Sequence, residues 1–240
     1  MTRPRLVLLH GSVTNAGLSW GAQRPLESHF ELVLPNRPGF PPNPPVERVD
    51  FDTDAAWLHG VVRSGDHLVG HSYGGVVALL AAPELPLASL TVIEPPAFGA
   101  ARGHPAVERW LAVAARLPRE SVRAHLEAFL PHVGASFPLP DPLPEDLQQG
   151  AEAFYSERRP DEADIPLEPL PYPVLVVTGD HEPAFEAVGD VLCEQLGAER
   201  LVLRGAGHAV QRAPGFNEAL TQRLAPPHGG AAGGPSGSPA

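Results

Sequence analysis

In the pentapeptide Gly70-His71-Ser72-Tyr73-Gly74 a serine stands between two glycines, directly after the apolar run His67-Leu68-Val69 and directly before the helix-forming run Val76 to Ala82. That context reads as strand, sharp turn, helix. The glycines let strand and helix pack closely, so the serine hydroxyl is pushed into the open from a strained backbone position. Ser72 is therefore the candidate nucleophile. A serine hydroxyl is a poor nucleophile at neutral pH, so it needs a general base with a pKa near the working pH, and the oxyanion formed by its attack needs N–H donors.

Other groups able to meet these needs stand at the ends of further apolar runs. Leu6 to Leu9 leads into His10-Gly11-Ser12-Val13, where a glycine permits close backbone approach at a strand end, as an oxyanion loop requires. Pro173 to Thr178 ends in Gly179-Asp180-His181-Glu182-Pro183, and Leu90 to Ile93 ends in Glu94, so three carboxylates close strands. Leu201-Val202-Leu203 runs into Gly205-Ala206-Gly207-His208. Residue by residue, the acid is open among Asp180, Glu182 and Glu94.

The ordered set of nucleophile elbow, acid and histidine resembles the α/β-hydrolase family over residues 5 to about 224. The resemblance implies His208 as the general base. It implies Glu182, three residues after Gly179, as the carboxylate that orients the histidine; the commoner residue there is Asp, and the alternatives are Asp180 and Glu94. It further implies an oxyanion hole built from the backbone N–H groups of Ser12 and Tyr73. His10 is expected to brace the oxyanion loop and His71 to pack beneath the elbow. The implied activity is hydrolysis of a small, mainly apolar carboxylic ester through an acyl-enzyme on Ser72. Thioesterase, lactonase, carbon–carbon hydrolase and cofactor-free perhydrolase chemistry share this constellation, whereas dehalogenase and epoxide-hydrolase relatives carry Asp where Ser72 stands. A ligand-binding receptor or pseudoenzyme is the alternative from outside enzymology.

The elements that must position these groups are six short apolar runs read as strands, at 5–9, 31–35, 67–70, 89–93, 173–178 and 200–203. Helical patterning falls between most of them, at Trp20 to Phe30, Thr53 to Arg63, Tyr73 to Ala82, Ala184 to Leu196 and Pro214 to Leu224. Alternation of strand with crossover helix predicts an α/β fold: a mostly parallel sheet of about six strands with helices on both faces. All the chemical groups then lie at the C-terminal edge of the sheet, where open α/β sheets assemble their sites. With the first strand beginning at residue 5, the resemblance leads one to expect a family sheet trimmed at its N-terminal side.

The interval 96–171 lacks strand signals and is too long for a plain loop. Helical periodicity at Val107 to Leu117, Ser121 to Phe129 and Glu145 to Tyr155 marks it as a small helical cap between core segments 1–95 and 172–225. Trp110 and Phe129, with Phe137, Phe154 and Tyr155, are its candidate pocket residues. Residues 226–240 are Gly, Pro, Ala and Ser with a single His, a composition expected of a disordered tail.

Composition narrows the function. The formal charge is −11 and no basic cluster exists, which argues against nucleic acid or an anionic membrane as a partner. All 17 basic residues are Arg, so Schiff-base lysines, Ser-Lys dyads and phosphate-loop lysines are excluded. A single cysteine, Cys193, permits no intramolecular disulfide and suits a reducing compartment. No secretory signal or membrane span is legible, so a cytoplasmic location is expected. No histidine pair has the sequence spacing of a metal site, and no cofactor motif is present. A small-molecule ester is the expected partner, and oligomeric state is not encoded in any motif.

Overall fold

Continuous Val, Leu and Ile runs bury both faces of a strand, and such runs here build a parallel sheet. The computed structural model describes residues 3–135 and 138–224. The expected tail at 226–240 and the side chain of Phe137 lie outside the described residues. Six strands, β1 (Arg5–Leu9), β2 (Glu31–Val33), β3 (His67–His71), β4 (Ser89–Ile93), β5 (Val174–Thr178) and β6 (Glu199–Val202), pair in the order β2-β1-β3-β4-β5-β6. Every pairing is parallel. All C-terminal ends therefore meet at one edge, and β3, which carries the elbow, sits in the interior between β1 and β4.

The pleat divides the core. Val7 and Leu9 face one side with Val176 and Val92, while Leu6 and Leu8 face the other with Leu175 and Val177. Among the described residues eight α-helices surround the sheet: α1 (Ala16–Ser19), α2 (Phe51–Leu58), α3 (Tyr73–Ala81), α4 (Pro105–Ala114), α5 (Val122–His132), α6 (Glu145–Ser156), α7 (Pro183–Leu196) and α8 (Phe216–Leu224). Phe51, Val76, Val77, Phe185 and Val188 of α2, α3 and α7 cover the first face. Phe216 and Leu220 of α8, with Trp20, cover the second.

Helix starts follow local chemistry. Asp50 caps α2 and Ser121 caps α5 through their side chains, and Pro105 and Pro183 occupy the first turns of α4 and α7, where a missing N–H costs nothing. The stretch Trp20 to Phe30 departs from the expected α-helix: Gly21–Ser28 is 3-10 helix with Pro25 inside, which cannot donate to an α-helical ladder.

Helices α4, α5 and α6 all fall between β4 and β5. Leu126 and Leu130 of α5 pack with Ala151 of α6 against Val13, which follows the first strand. Gly150 of α6 touches the Val13 backbone so closely that a Cβ there would collide with its carbonyl. Helices α5 and α6 consequently lie against the loop that follows β1.

Candidate active site

Ser72 opens α3 with φ 53° and ψ −127°, a backbone conformation rare for a residue with a side chain. The surrounding glycines make it possible. A Cβ on Gly70 would stand 2.5 Å from the Gly74 carbonyl, and one on Gly74 would collide with the His10 carbonyl. The Ser72 N–H donates to the Ile93 carbonyl at 2.8 Å, tying the elbow to the end of β4.

His208 reaches this serine from the loop after β6. Its Nε2 is 2.9 Å from Ser72 Oγ, and its Nδ1 is 3.4 Å from Glu94 Oε2. With the carboxylate on the Nδ1 side, the imidazole carries its proton on Nδ1 and offers the Nε2 lone pair to the serine hydroxyl. Burial pushes His208 down to about 3, so the ring is neutral at physiological pH. His71 Nε2 donates to the His208 carbonyl at 3.0 Å and holds the loop from below.

For the acid, the structure departs from the expectation. Glu182 is the N-cap of α7, its Oε1 accepting from the Ala184 N–H at 3.2 Å. Asp180 pairs with Arg204 at 2.9 Å. The carboxylate beside His208 is that of Glu94, fully buried at the end of β4 in a left-handed conformation with φ 48°. Its Oε1 accepts from the Gly179 N–H at 2.6 Å, while Oε2 faces both His208 and His181, the latter at 3.5 Å. Burial pushes Glu94 up to about 7, against the pull of His181 and the Gly179 N–H.

The loop after β1 supplies the remaining pieces. His10 Nε2 accepts from the Arg37 N–H at 2.9 Å, which leaves Nδ1–H to donate to the Gly11 carbonyl at 2.8 Å. Burial pushes this ring down to about 3 as well. A Cβ on Gly11 would stand 2.8 Å from Ser72 Cβ, so the loop lies directly over the elbow. Ser12 and Tyr73 line one cavity with Ser72 and His208. As the first residue of α3, Tyr73 has an N–H with no acceptor inside its helix.

That cavity, about 250 Å³, is mainly apolar, with Trp110, Leu111, Phe129, Phe154 and Phe185 among its walls. Trp110 and Phe129 both reach it, as does Tyr155. Trp110 also stacks on Phe98 and His132 at 4.3 and 4.4 Å, so it serves packing and pocket together.

Of two residues absent from the sequence reading, Glu157 also lines this cavity, and Arg37 supports it from outside the lining. Arg37, fully buried, binds Asp54 at 2.8 Å and the Gly11 carbonyl at 3.0 Å, and reaches Glu157 at 3.3 Å. Glu157, just after α6, accepts the Ser12 hydroxyl at 2.5 Å. Burial pushes Glu157 up to about 7 in spite of Arg37 and Ser12. The cluster joins the segment after α6 to the loop over the elbow. Neither residue has a local signal; the nearest is Asn36-Arg37-Pro38-Gly39, a turn at the end of β2.

The chain belongs to the alpha/beta hydrolase family, whose model matches residues 6–217. Among solved structures it is similar to an epoxide hydrolase from hot-environment metagenomes, with 19% identity over 93% of this chain and 91% of that one and a TM-score of 0.71. MenH from S. aureus gives 18% identity, coverage of 93% and 94%, and a TM-score of 0.69. Carboxylesterase CesB from Bacillus subtilis gives 24% identity, coverage of 92% and 82%, and a TM-score of 0.61. At these identities the likeness is one of fold. No curated protein matches the sequence. Among the described residues no helix is long and apolar enough to cross a membrane.

Proposed function

We propose that the protein is a serine hydrolase that cleaves a small, mainly apolar carboxylic ester through an acyl-enzyme on Ser72. One observation carries this reading: Ser72 Oγ lies 2.9 Å from Nε2 of a neutral His208 whose Nδ1 faces a buried carboxylate, and Ser72 and His208 open onto an apolar cavity. In the proposed reaction Ser72 attacks the ester carbonyl as His208 Nε2 takes the hydroxyl proton. Glu94 holds the Nδ1 tautomer and stabilises the imidazolium. The N–H groups of Ser12 and Tyr73 donate hydrogen bonds to the developing oxyanion. His208 then protonates the leaving alcohol. Water, activated by the same imidazole, releases the acid and restores Ser72. Trp110, Phe129 and Phe154 hold the apolar part of the ester, so the helical interval 96–171 acts as a cap that sets substrate choice.

A panel of p-nitrophenyl esters of graded acyl length tests the proposal. Wild type is expected to release p-nitrophenol with a rapid phase of about one equivalent before steady turnover, the signature of acyl-enzyme accumulation. Ser72→Ala is expected to lose both phases. Equal turnover by Ser72→Ala would overturn the reading.

A further inference from the structure

We propose that Glu94, His181 and His208 form a binding site for a divalent cation of the zinc class, and that filling it switches hydrolysis off. The inhibitory half rests on the proposed role of His208; the binding half does not.

Sequence spacing gives no hint of such a site, because its members come from the ends of three different strands. The fold brings together one ligand atom from each residue, all within 4.8 Å of one another. Glu94 Oε2 stands 3.4 Å from Nδ1 of His208 and 3.5 Å from Nδ1 of His181. Both distances are long for charge-assisted hydrogen bonds, which fall at about 2.7–2.9 Å. They match another geometry. When zinc binds nitrogen and oxygen at about 2.0–2.1 Å in a tetrahedron, neighbouring ligand atoms are about 3.3–3.4 Å apart. Two imidazoles and one carboxylate form a donor set suited to zinc, with a fourth position left for water.

The surroundings are those of a supported site. Glu94 Oε1 is held by the Gly179 N–H at 2.6 Å, and His208 Nε2 by Ser72 Oγ at 2.9 Å, so both ligands have outer partners that fix their orientation. His181 is the unexplained member. Both its ring nitrogens are buried without a hydrogen-bond partner, an arrangement that costs free energy unless something fills it. Phe185 stacks against its ring at 5.5 Å and fixes the plane. His181 also lines a surface groove with Asp180, Glu182, Glu186 and Asp190, of which Asp180 pairs with Arg204, and Glu186 and Asp190 with Arg200.

Binding has a definite chemical consequence. The cation takes the lone pairs of both Nδ1 atoms and of Glu94 Oε2, so the His208 proton moves from Nδ1 to Nε2. No bond to carbon changes. A protonated Nε2 has no lone pair for the Ser72 proton, and the base is lost while the acyl cavity stays open. Inhibition should therefore lower kcat and leave KM unchanged.

The test separates binding from activity. Isothermal titration of the untagged, full-length wild-type protein with Zn²⁺ alone should give one site per chain. Adding His181→Gln should raise that Kd at least tenfold, whereas adding His59→Gln, an exposed histidine beside Glu84, should leave it unchanged. Co²⁺ added to wild type should show the visible absorption of a four-coordinate nitrogen and oxygen site, which guards against a misfolded His181 variant. In wild type, Zn²⁺ should lower kcat reversibly on addition of EDTA, and in His181→Gln the fractional inhibition should need at least tenfold more Zn²⁺. Absence of a stoichiometric site in wild type, an unchanged Kd in the His181 variant, or six-coordinate Co²⁺ alone would overturn the site. Zinc bound there with full kcat would overturn the inhibition. If no ester is turned over at all, the calorimetry and Co²⁺ spectrum still decide the binding half.

Discussion

Glu94 Oε2 lies 3.4 Å from His208 Nδ1, although 114 residues separate the two in the chain. The contact exists because β4 lies between β3 and β5 in the sheet, so the end of β4 stands beside both the elbow and the loop after β5. A carboxylate there can keep the imidazole in the tautomer that accepts the serine proton. Replacing it with an amide leaves the size unchanged and removes the charge. Glu94→Gln is expected to lower kcat by about 10³–10⁴-fold with little change in KM. Glu182→Gln and Asp180→Asn should each stay within about threefold of wild type, because a cap and a surface ion pair act on stability rather than on the barrier. Steady-state kinetics on one ester, run on all three variants, makes the comparison; a larger loss in Glu182→Gln would return the acid to the loop after β5.

The elbow depends on two missing side chains. A Cβ on Gly70 would stand 2.5 Å from the Gly74 carbonyl and 2.8 Å from Gly75 Cα, both backbone atoms that cannot turn aside. Gly70→Ala should destabilise the fold by about 3 kcal/mol or more, at the upper end of overpacking costs. Gly21→Ala, where a Cβ meets nothing within 4 Å, serves as the control and should stay near wild type. Urea unfolding monitored by circular dichroism measures both. Equal midpoints for the two variants would mean that the elbow relaxes freely.

Cavity walls should govern which esters are accepted. Phe129 lines the cavity and packs on Phe154 at 4.4 Å, so Phe129→Ala enlarges the space for an acyl chain. The kcat/KM ratio between long and short p-nitrophenyl esters should change by roughly 1–3 kcal/mol in favour of the longer chain. Trp110→Ala should shift the same ratio and also lose about 3 kcal/mol or more of stability, since its ring stacks on Phe98 and His132. A uniform loss toward every chain length would remove these residues from substrate choice.

Glu157 should leave a mark on stability as pH changes. Burial raises its carboxyl from 4.5 to about 7 in the folded protein, so between those values the folded state keeps a proton that the unfolded state has released. Stability from this group is full below about pH 4.5 and is lost as pH rises through about 7. A Gln at this position cannot ionise. The thermal midpoint of Glu157→Gln minus that of wild type should therefore rise between pH 5 and 8, as read by scanning calorimetry. A difference that stays constant or falls would show that Arg37 and Ser12 keep Glu157 ionised throughout.

The parallel strands and the chemical edge were legible because apolar runs with glycine-bearing ends are local signals: Ser72 and His208, each following such a run, meet at 2.9 Å. The carboxylate was not, because its distance to His208 depends on how neighbouring strands align. A competing local signal was present. Glu182 precedes Pro183, and a residue before a proline in a first helical turn is placed to cap the helix, which is what Glu182 does. Glu94, by contrast, ends the wholly apolar stretch Val92-Ile93 and is followed by two prolines, a context that favours burial. Arg37 and Glu157 lie 120 residues apart with no motif around either, and only the packing of the segment after α6 against the β1 loop unites them. Trp20 to Phe30 had helical periodicity, but Pro25 diverted it to 3-10 geometry.

The central claim is that Ser72 becomes covalently acylated, and a fluorophosphonate probe followed by intact and peptide mass spectrometry tests it most directly. Such a probe reacts only with a serine whose neighbouring base can take its proton, as His208 at 2.9 Å is placed to do. The account predicts one phosphonyl group per chain, located on Ser72, and none on Ser72→Ala. A label on any other residue, or undiminished labelling of Ser72→Ala, would contradict it.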